Sequence, residues 1–156
     1  MHPNLRPLKQ ALFAWLSQHQ GNGVAASLTF KPRLDGRRLT PQDAENAMSH
    51  YLHRLDRKVY GRHSSRQVGA IPIREGGVQP WEKHLHYHLV LPAPPNYSVH
   101  DWKVTAAQTW PILDWASKTQ NHFVIISDDG WLSYMLKLRD KPDYLDSLDI
   151  ANLRLT

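Results

Sequence analysis

His84-Leu85-His86-Tyr87-His88-Leu89-Val90-Leu91 places a histidine at every second position and then runs on into three aliphatic residues. Alternate side chains of a β-strand share a face. The spacing therefore predicts a strand with His84, His86 and His88 on one side and Leu85, Tyr87 and Leu89 packed on the other. A helix would scatter the three imidazoles around its circumference, which suits no shared ligand. Imidazole is the commonest metal-binding side chain, and two histidines one residue apart on a strand can grip a single ion. The plainer alternative is an alternating strand whose polar face is merely rich in histidine, in a chain that has ten of them.

Composition narrows what such a strand can belong to. With 156 residues, 41% of them apolar, the chain is long enough for one domain with a buried core. It has no cysteine, which excludes disulfides, thiolate nucleophiles and zinc–cysteine sites. The N-terminus lacks the apolar run of a signal peptide and no stretch is long enough to span a bilayer, so a cytoplasmic protein is expected. Net charge is +5, with six tryptophans and six tyrosines, and the pI is about 9.6. Basic charge interleaved with flat side chains suits single-stranded nucleic acid, where cations meet phosphates and bases stack.

Outward from the histidines, Val68 to Glu75 reads as the preceding strand, joined to them by the turn residues Gly76-Gly77 and a longer loop. Pro72 inside that strand predicts an edge position or a bulge. Upstream, Thr40-Pro41-Gln42-Asp43 opens a helix: Thr40 caps, Pro41 takes the first helical position, and Asp43 favours the positive dipole end. That helix should run to about Tyr60 and bury Ala44, Ala47, Met48, Tyr51, Leu52, Leu55 and Val59. Its far end is strongly basic, with Arg54, Arg57, Lys58, Arg62 and Arg66. Before it lies a basic loop, Lys31 to Arg38, with the turn signal Asp35-Gly36. Val24 to Phe30 reads as the first strand, preceded by an amphipathic helix from Leu5 to His19 that stops at Gly21-Asn22-Gly23. Downstream, Ser98 caps a helix to about Trp110 that places Trp102, Ala106 and Trp110 on one side. His122 to Ser127 forms a further strand, and Trp131 to Lys141 a last helix stopped by Pro142.

This order, β-α-β-β-α-β and then a helix, is the split-βαβ arrangement of an α+β fold, a largely antiparallel sheet with helices on one face. Residues 1–23 form an N-terminal helix, 24–141 the main domain and 142–156 a short tail, with one more helical turn at most. Many functions use this architecture, so function has to come from the site.

Two imidazoles leave a divalent ion short of ligands. Glu75, at the end of the neighbouring strand, is the carboxylate a hairpin would bring beside them, whereas Glu82 falls in the loop. Nitrogen and carboxylate ligation with open positions suits Mn²⁺ or Mg²⁺, and ligand type does not exclude zinc. His86 and His88 are the favoured pair because the apolar run buries the strand directly after them. His84, at the mouth, is an additional candidate. On the last helix, Tyr134 and Lys137 are three apart and share a face, with Lys141 one turn on. Positive charge beside a phenol favours its ionised, nucleophilic form, although a packing tyrosine beside a surface lysine would look the same.

Taken together, these motifs resemble the HUH endonucleases, the family of rolling-circle replication initiators, relaxases and single-tyrosine transposases. The family's histidine–hydrophobe–histidine motif matches His86-Tyr87-His88, an early strand motif is similar to Ser27-Leu28-Thr29-Phe30, and the Y-x-x-K motif matches Tyr134 to Lys137. The acidic third ligand of many members falls on Glu75. The resemblance spans about Val24 to Lys141. It departs from the pattern in the extra His84, which leaves the metal pair open by one register step. A single suitable tyrosine is present, since Tyr144 lies beyond Pro142. No phosphate-binding G-x-x-x-x-G-K-[ST] occurs, so the chain carries no helicase, and an initiator of this kind would depend on a host helicase.

The resemblance implies nicking and joining of single-stranded or hairpin DNA. Tyr134 would attack a phosphate to give a 5′-phosphotyrosine and a free 3′-hydroxyl, with Lys137 orienting the phosphate or easing ionisation. Arg37, Arg38, Arg57, Arg62 and Lys141 are the candidate DNA contacts, and no membrane partner is expected. An initiator of a plasmid or phage is the preferred role, with a transposase acting on hairpin repeats as the alternative within the family. Outside it stand a non-catalytic nucleic-acid-binding module, which would carry stacking aromatics on its central strands, and a metal-dependent hydrolase with no use for Tyr134.

Overall fold

The computed structural model describes residues 6–18, 21–126 and 147–155. Helix α1 (Arg6–Ser17) is followed by β1 (Gly23–Thr29), a small ribbon of β2 (Arg33–Leu34) and β3 (Arg37–Arg38), and helix α2 (Pro41–Tyr60). Then come β4 (Ile71–Glu75), β5 (His86–Pro92), helix α3 (Val99–Thr109) and β6 (His122–Ile125). With the ribbon set aside, the order from β1 to β6 is the expected βαββαβ. The four long strands form one antiparallel sheet in the spatial order β4-β5-β1-β6.

Local chemistry explains the elements that hold the sheet. The Thr40 hydroxyl accepts from the Asp43 amide at 3.1 Å, while the Asp43 carboxylate accepts from the Thr40 amide at 2.9 Å. This reciprocal cap satisfies two orphan donors at the start of α2. The hydrogen bond from Arg37 holds the Asp43 carboxyl below the usual carboxylate range, and Thr40 adds to the effect. Ala44, Ala47, Met48, Tyr51, Leu52 and Leu55 are buried as the spacing predicts, and Val59 is partly buried. Gly61 ends the helix at φ 87°, a backbone conformation that a side chain disfavours. Ser98 caps α3 through the Asp101 amide at 3.1 Å, and Trp102, Ala106 and Trp110 are fully buried.

The helix-side face of the sheet supplies the core. Val24, Ala26, Leu28, Tyr87, Leu89 and Leu91 meet α2 and α3 residues in one apolar cluster. Its aromatic centre is built edge to face: Phe30 packs on Trp110 and Tyr87, and Trp110 packs on Tyr51, with centroids 5.2–5.9 Å apart, a favoured aromatic geometry. Tyr51 donates its hydroxyl to the Ala106 carbonyl at 2.9 Å, and burial pushes that phenol well above its ordinary pKa.

Two segments differ from the sequence reading. The basic loop before α2 folds into the β2–β3 ribbon because Asp35 and Gly36 both take positive φ, 49° and 76°, as a two-residue hairpin turn requires. The C-terminal segment is more than a tail. The Ala70 and Arg154 backbones exchange hydrogen bonds of 2.8 and 2.9 Å, and the Asp149 amide donates to the Pro72 carbonyl. Pro72 therefore turns its backbone towards the outer side of β4, where its missing N–H costs the β4–β5 ladder nothing. Side chains reinforce the docking. Arg154 pairs with the buried Asp56 carboxylate at 2.8 Å, and Asp149 accepts from both Tyr87 and Asn152 at 2.7 Å.

Candidate metal centre

Register brings the site together. In the β4–β5 hairpin Glu75 lies opposite His86, and Ile73 lies opposite His88. Directly paired residues of an antiparallel sheet share a face, so Glu75, His86 and His88 all leave the sheet on the side away from α2 and α3. One carboxylate oxygen, Glu75 Oε2, stands 3.3 Å from His86 Nε2 and 3.2 Å from His88 Nε2. The three ligand atoms all lie within 4.8 Å of one another. The site is largely enclosed: the His86 and His88 side chains are 12% and 11% exposed and that of Glu75 25%. Ala25, Ile71, Ile73 and Val90, on the same face, are also buried.

The separations suit a shared ion. Two ligands about 2.1 Å from one metal, at roughly 90–109° to each other, lie about 3.0–3.4 Å apart. The imidazole tautomers point the same way. His86 Nδ1 is 3.0 Å from the His84 backbone carbonyl, which can only accept, so that nitrogen carries the proton. The Nε2 of a neutral ring then presents a lone pair to a carboxylate lone pair, which repels unless a cation or an added proton lies between. His88 is held from both sides, with Nδ1 3.3 Å from the Ser27 hydroxyl and Nε2 towards Glu75. Burial lowers the His88 pKa, Glu75 opposes that shift, and the His86 ring adds to it. His88 is thus held towards its neutral, ligating form. Hydrogen-bonded outer nitrogens that fix the orientation of ligating ones are the usual support of a histidine metal site. Residues Glu75, His86 and His88 fit a divalent ion.

His84 does not join this cluster. Strand β5 begins only at His86, and the exposed His84 ring turns its Nε2 to the Phe30 carbonyl at 3.0 Å. Its backbone oxygen, not its imidazole, serves the site by fixing His86. Glu82, read as a loop residue, accepts from the Gln79 amide at 3.0 Å. Ser27 is the contributor that sequence reasoning missed as a partner of His88. Its signal was the alternation of Ala25, Ser27 and Thr29 on one face of β1, but only the register Ser27↔His88 reveals the partner.

The candidate DNA contacts are dispersed. Arg37 is bound to the Asp43 carboxylate at 2.8 and 3.1 Å and lies over the Trp115 ring. With Arg57, Arg54, His50 and His53 it lines a cavity of about 700 Å³ walled by α2, the β2–β3 ribbon and residues 112–115. Arg38 lines a different cavity, beside His84. Arg62 is exposed just past the end of α2. Tyr134, Lys137 and Lys141, with the expected last helix and Tyr144, lie outside the described residues. Among the described residues no helix is long and apolar enough to cross a membrane.

An α+β protein with a His-His-Glu cluster able to hold a metal ion is the class that fold and site define. The chain matches no protein-family model, no curated protein and no solved structure.

Proposed function

We propose that this protein is a metal-dependent endonuclease of the HUH type, which nicks and rejoins single-stranded DNA through a phosphotyrosine at Tyr134. The role that fits it best is a rolling-circle replication initiator of a plasmid or phage. The observation that carries the reading is the convergence of Glu75 with His86 and His88 on adjacent strands, the ligand set implied by the histidine–hydrophobe–histidine motif.

A divalent ion such as Mn²⁺ or Mg²⁺ held there would polarise the scissile phosphate and offset the charge developing on it. The Tyr134 oxygen attacks phosphorus and loses its proton. The P–O bond to the 3′ side breaks, and the departing oxygen takes up a proton to become a 3′-hydroxyl. Because the phosphodiester is exchanged and not hydrolysed, a 3′-hydroxyl can later attack the phosphotyrosine and reseal the strand. Lys137 orients the phosphate or eases ionisation of Tyr134. With no motor motif in the chain, the target has to be unpaired already.

The test is incubation with pools of single-stranded oligonucleotides and Mn²⁺, followed by a search for a protein–DNA adduct that survives detergent. The expected adduct maps to the peptide containing Tyr134 and is lost in Tyr134→Phe. Nicking without an adduct, retained in the Phe variant, would replace this reading with a water-using hydrolase. Neither activity in either form would leave a binding protein.

A further inference from the structure

We propose that the β4–β5 loop and the β2–β3 ribbon together form a receptor for one unpaired nucleotide of a DNA strand, with its base stacked on Trp81 and its phosphate met by Arg33 and Arg38. The inference rests on the single-strand DNA reading above and names a recognition subsite beside the metal centre.

Three observations converge on it. Trp81 is 81% exposed, the most exposed large apolar side chain among the described residues, while Trp102, Trp110 and Trp115 are buried. A lone exposed apolar residue is ordinary on a floppy loop, but this loop is tightly made. The Gly77 amide donates to the Lys83 carbonyl at 2.8 Å, Leu85 to Gly77 at 3.0 Å and Glu82 to Gln79 at 3.1 Å. The Glu82 carboxylate also receives the Gln79 amide at 3.0 Å. Gly76 is obligatory for this packing, whereas the neighbour of Gly77 is the movable end of a side chain. Gly76 has φ 77°, a Cβ there would overlap the backbone of Lys83 and His84, and one on Gly77 would overlap the Glu82 carboxylate. The chain thus spends ordered backbone on holding an indole out in water.

The second observation is a cavity of about 370 Å³ walled by Pro80 and Glu82, the chain neighbours of Trp81, and by Arg33, Arg38 and His84. Arg33 reaches only the Gly36 carbonyl within its own turn, at 3.4 Å, and neither Arg33 nor Arg38 has an acidic partner among the described residues. Two guanidiniums without an acidic partner among the described residues, in a cavity walled by the chain neighbours of an exposed indole, complement a phosphate and a base. The third observation is the link to the metal centre. His84 lines this cavity, and its carbonyl fixes the His86 ring, so an occupant sits next to a strand that carries metal ligands.

The test reads binding, without metal, by anisotropy of fluorescently labelled short oligothymidylate in EDTA. Trp81→Ala should weaken binding roughly tenfold, and Trp81→Phe should keep most of it, because stacking on an aromatic ring tolerates the exchange. Replacing the thymidines one at a time by abasic sites should reveal a position that costs the wild type but not Trp81→Ala. Changing Arg33 and Arg38 together to Ala should flatten the salt dependence, by about 0.7 in log–log slope for each phosphate no longer neutralised. Unaltered Mn²⁺ uptake by Trp81→Ala in calorimetry confirms that the fold and the metal centre are intact. Wild-type affinity in Trp81→Ala, with the same abasic profile, overturns the subsite even if the Tyr134 adduct forms. Trp81-dependent binding by a protein that never forms an adduct sustains the subsite and rejects the endonuclease.

Discussion

The two faces of β5 carry opposite burdens. Tyr87, Leu89 and Leu91 point into the apolar core and are fully buried. His86 and His88, interleaved with them, meet Glu75 on the other side of the sheet. A single strand therefore serves both the core and the candidate chemistry, with the histidines confined to one of its faces. Changes at Tyr87, Leu89 and Leu91 should move stability, and changes at His86 and His88 should move metal affinity.

The largest effect sought is on the core face. Leu89→Ala, one residue from a proposed ligand, is expected to lower unfolding free energy by about 2–5 kcal/mol in urea titration. The variant that stays folded should take up Mn²⁺ with wild-type affinity. Weakened metal binding in the folded form would show that the faces are not separable.

On the other face, His88→Ala or His86→Ala should lower Mn²⁺ affinity by more than about 100-fold in calorimetry, beyond the 10–100-fold typical of supporting residues. The metal-free protein should lose less stability than Leu89→Ala does. Two histidine variants that bind the ion normally would refute the site.

Ser27→Ala probes the support from β1. Loss of the hydroxyl beside His88 Nδ1 should reduce metal affinity by about tenfold with little change in melting temperature. Unchanged affinity would mean that the Ser27 hydroxyl does not orient the ring.

The smallest expected effect lies away from both faces of β5, at the start of α2. Arg37 holds the folded Asp43 carboxyl below its ordinary pKa, so its contribution is complete above the unfolded value of about 3.9. That contribution is lost as pH falls through the lower, folded value. Asp43→Asn should flatten the acid limb of the stability curve and leave metal uptake near neutral pH unchanged. An acid limb identical to wild type would show that the cap carries no pH-dependent stability.

What was legible in the sequence follows the range of the forces involved. The period-two histidines, the Thr40–Asp43 cap and the edge-seeking Pro72 are local signals, and β5, α2 and β4 form around them, although β5 starts at His86 and β4 at Ile71. The Glu75 pairing was readable because two strands and a turn are contiguous. His84 was harder, since alternation continues to it in sequence while the strand does not, and its ring finds the Phe30 carbonyl instead. The two-residue strands of the ribbon are too short to show a period. The docking of residues 147–155 left no local trace, because the Arg154–Asp56 pair joins positions 98 apart.

That docking has a consequence for how the protein is made. During synthesis β4 is complete long before Arg154 emerges, and until then its outer edge offers unpaired backbone groups to any neighbouring strand. The nascent chain thus passes through a stage at which it is vulnerable to chain–chain pairing, and that stage closes only when residues 147–155 arrive. Ribosome-stalled chains ending before Leu148 should be markedly more prone to aggregate than those extended through Arg154.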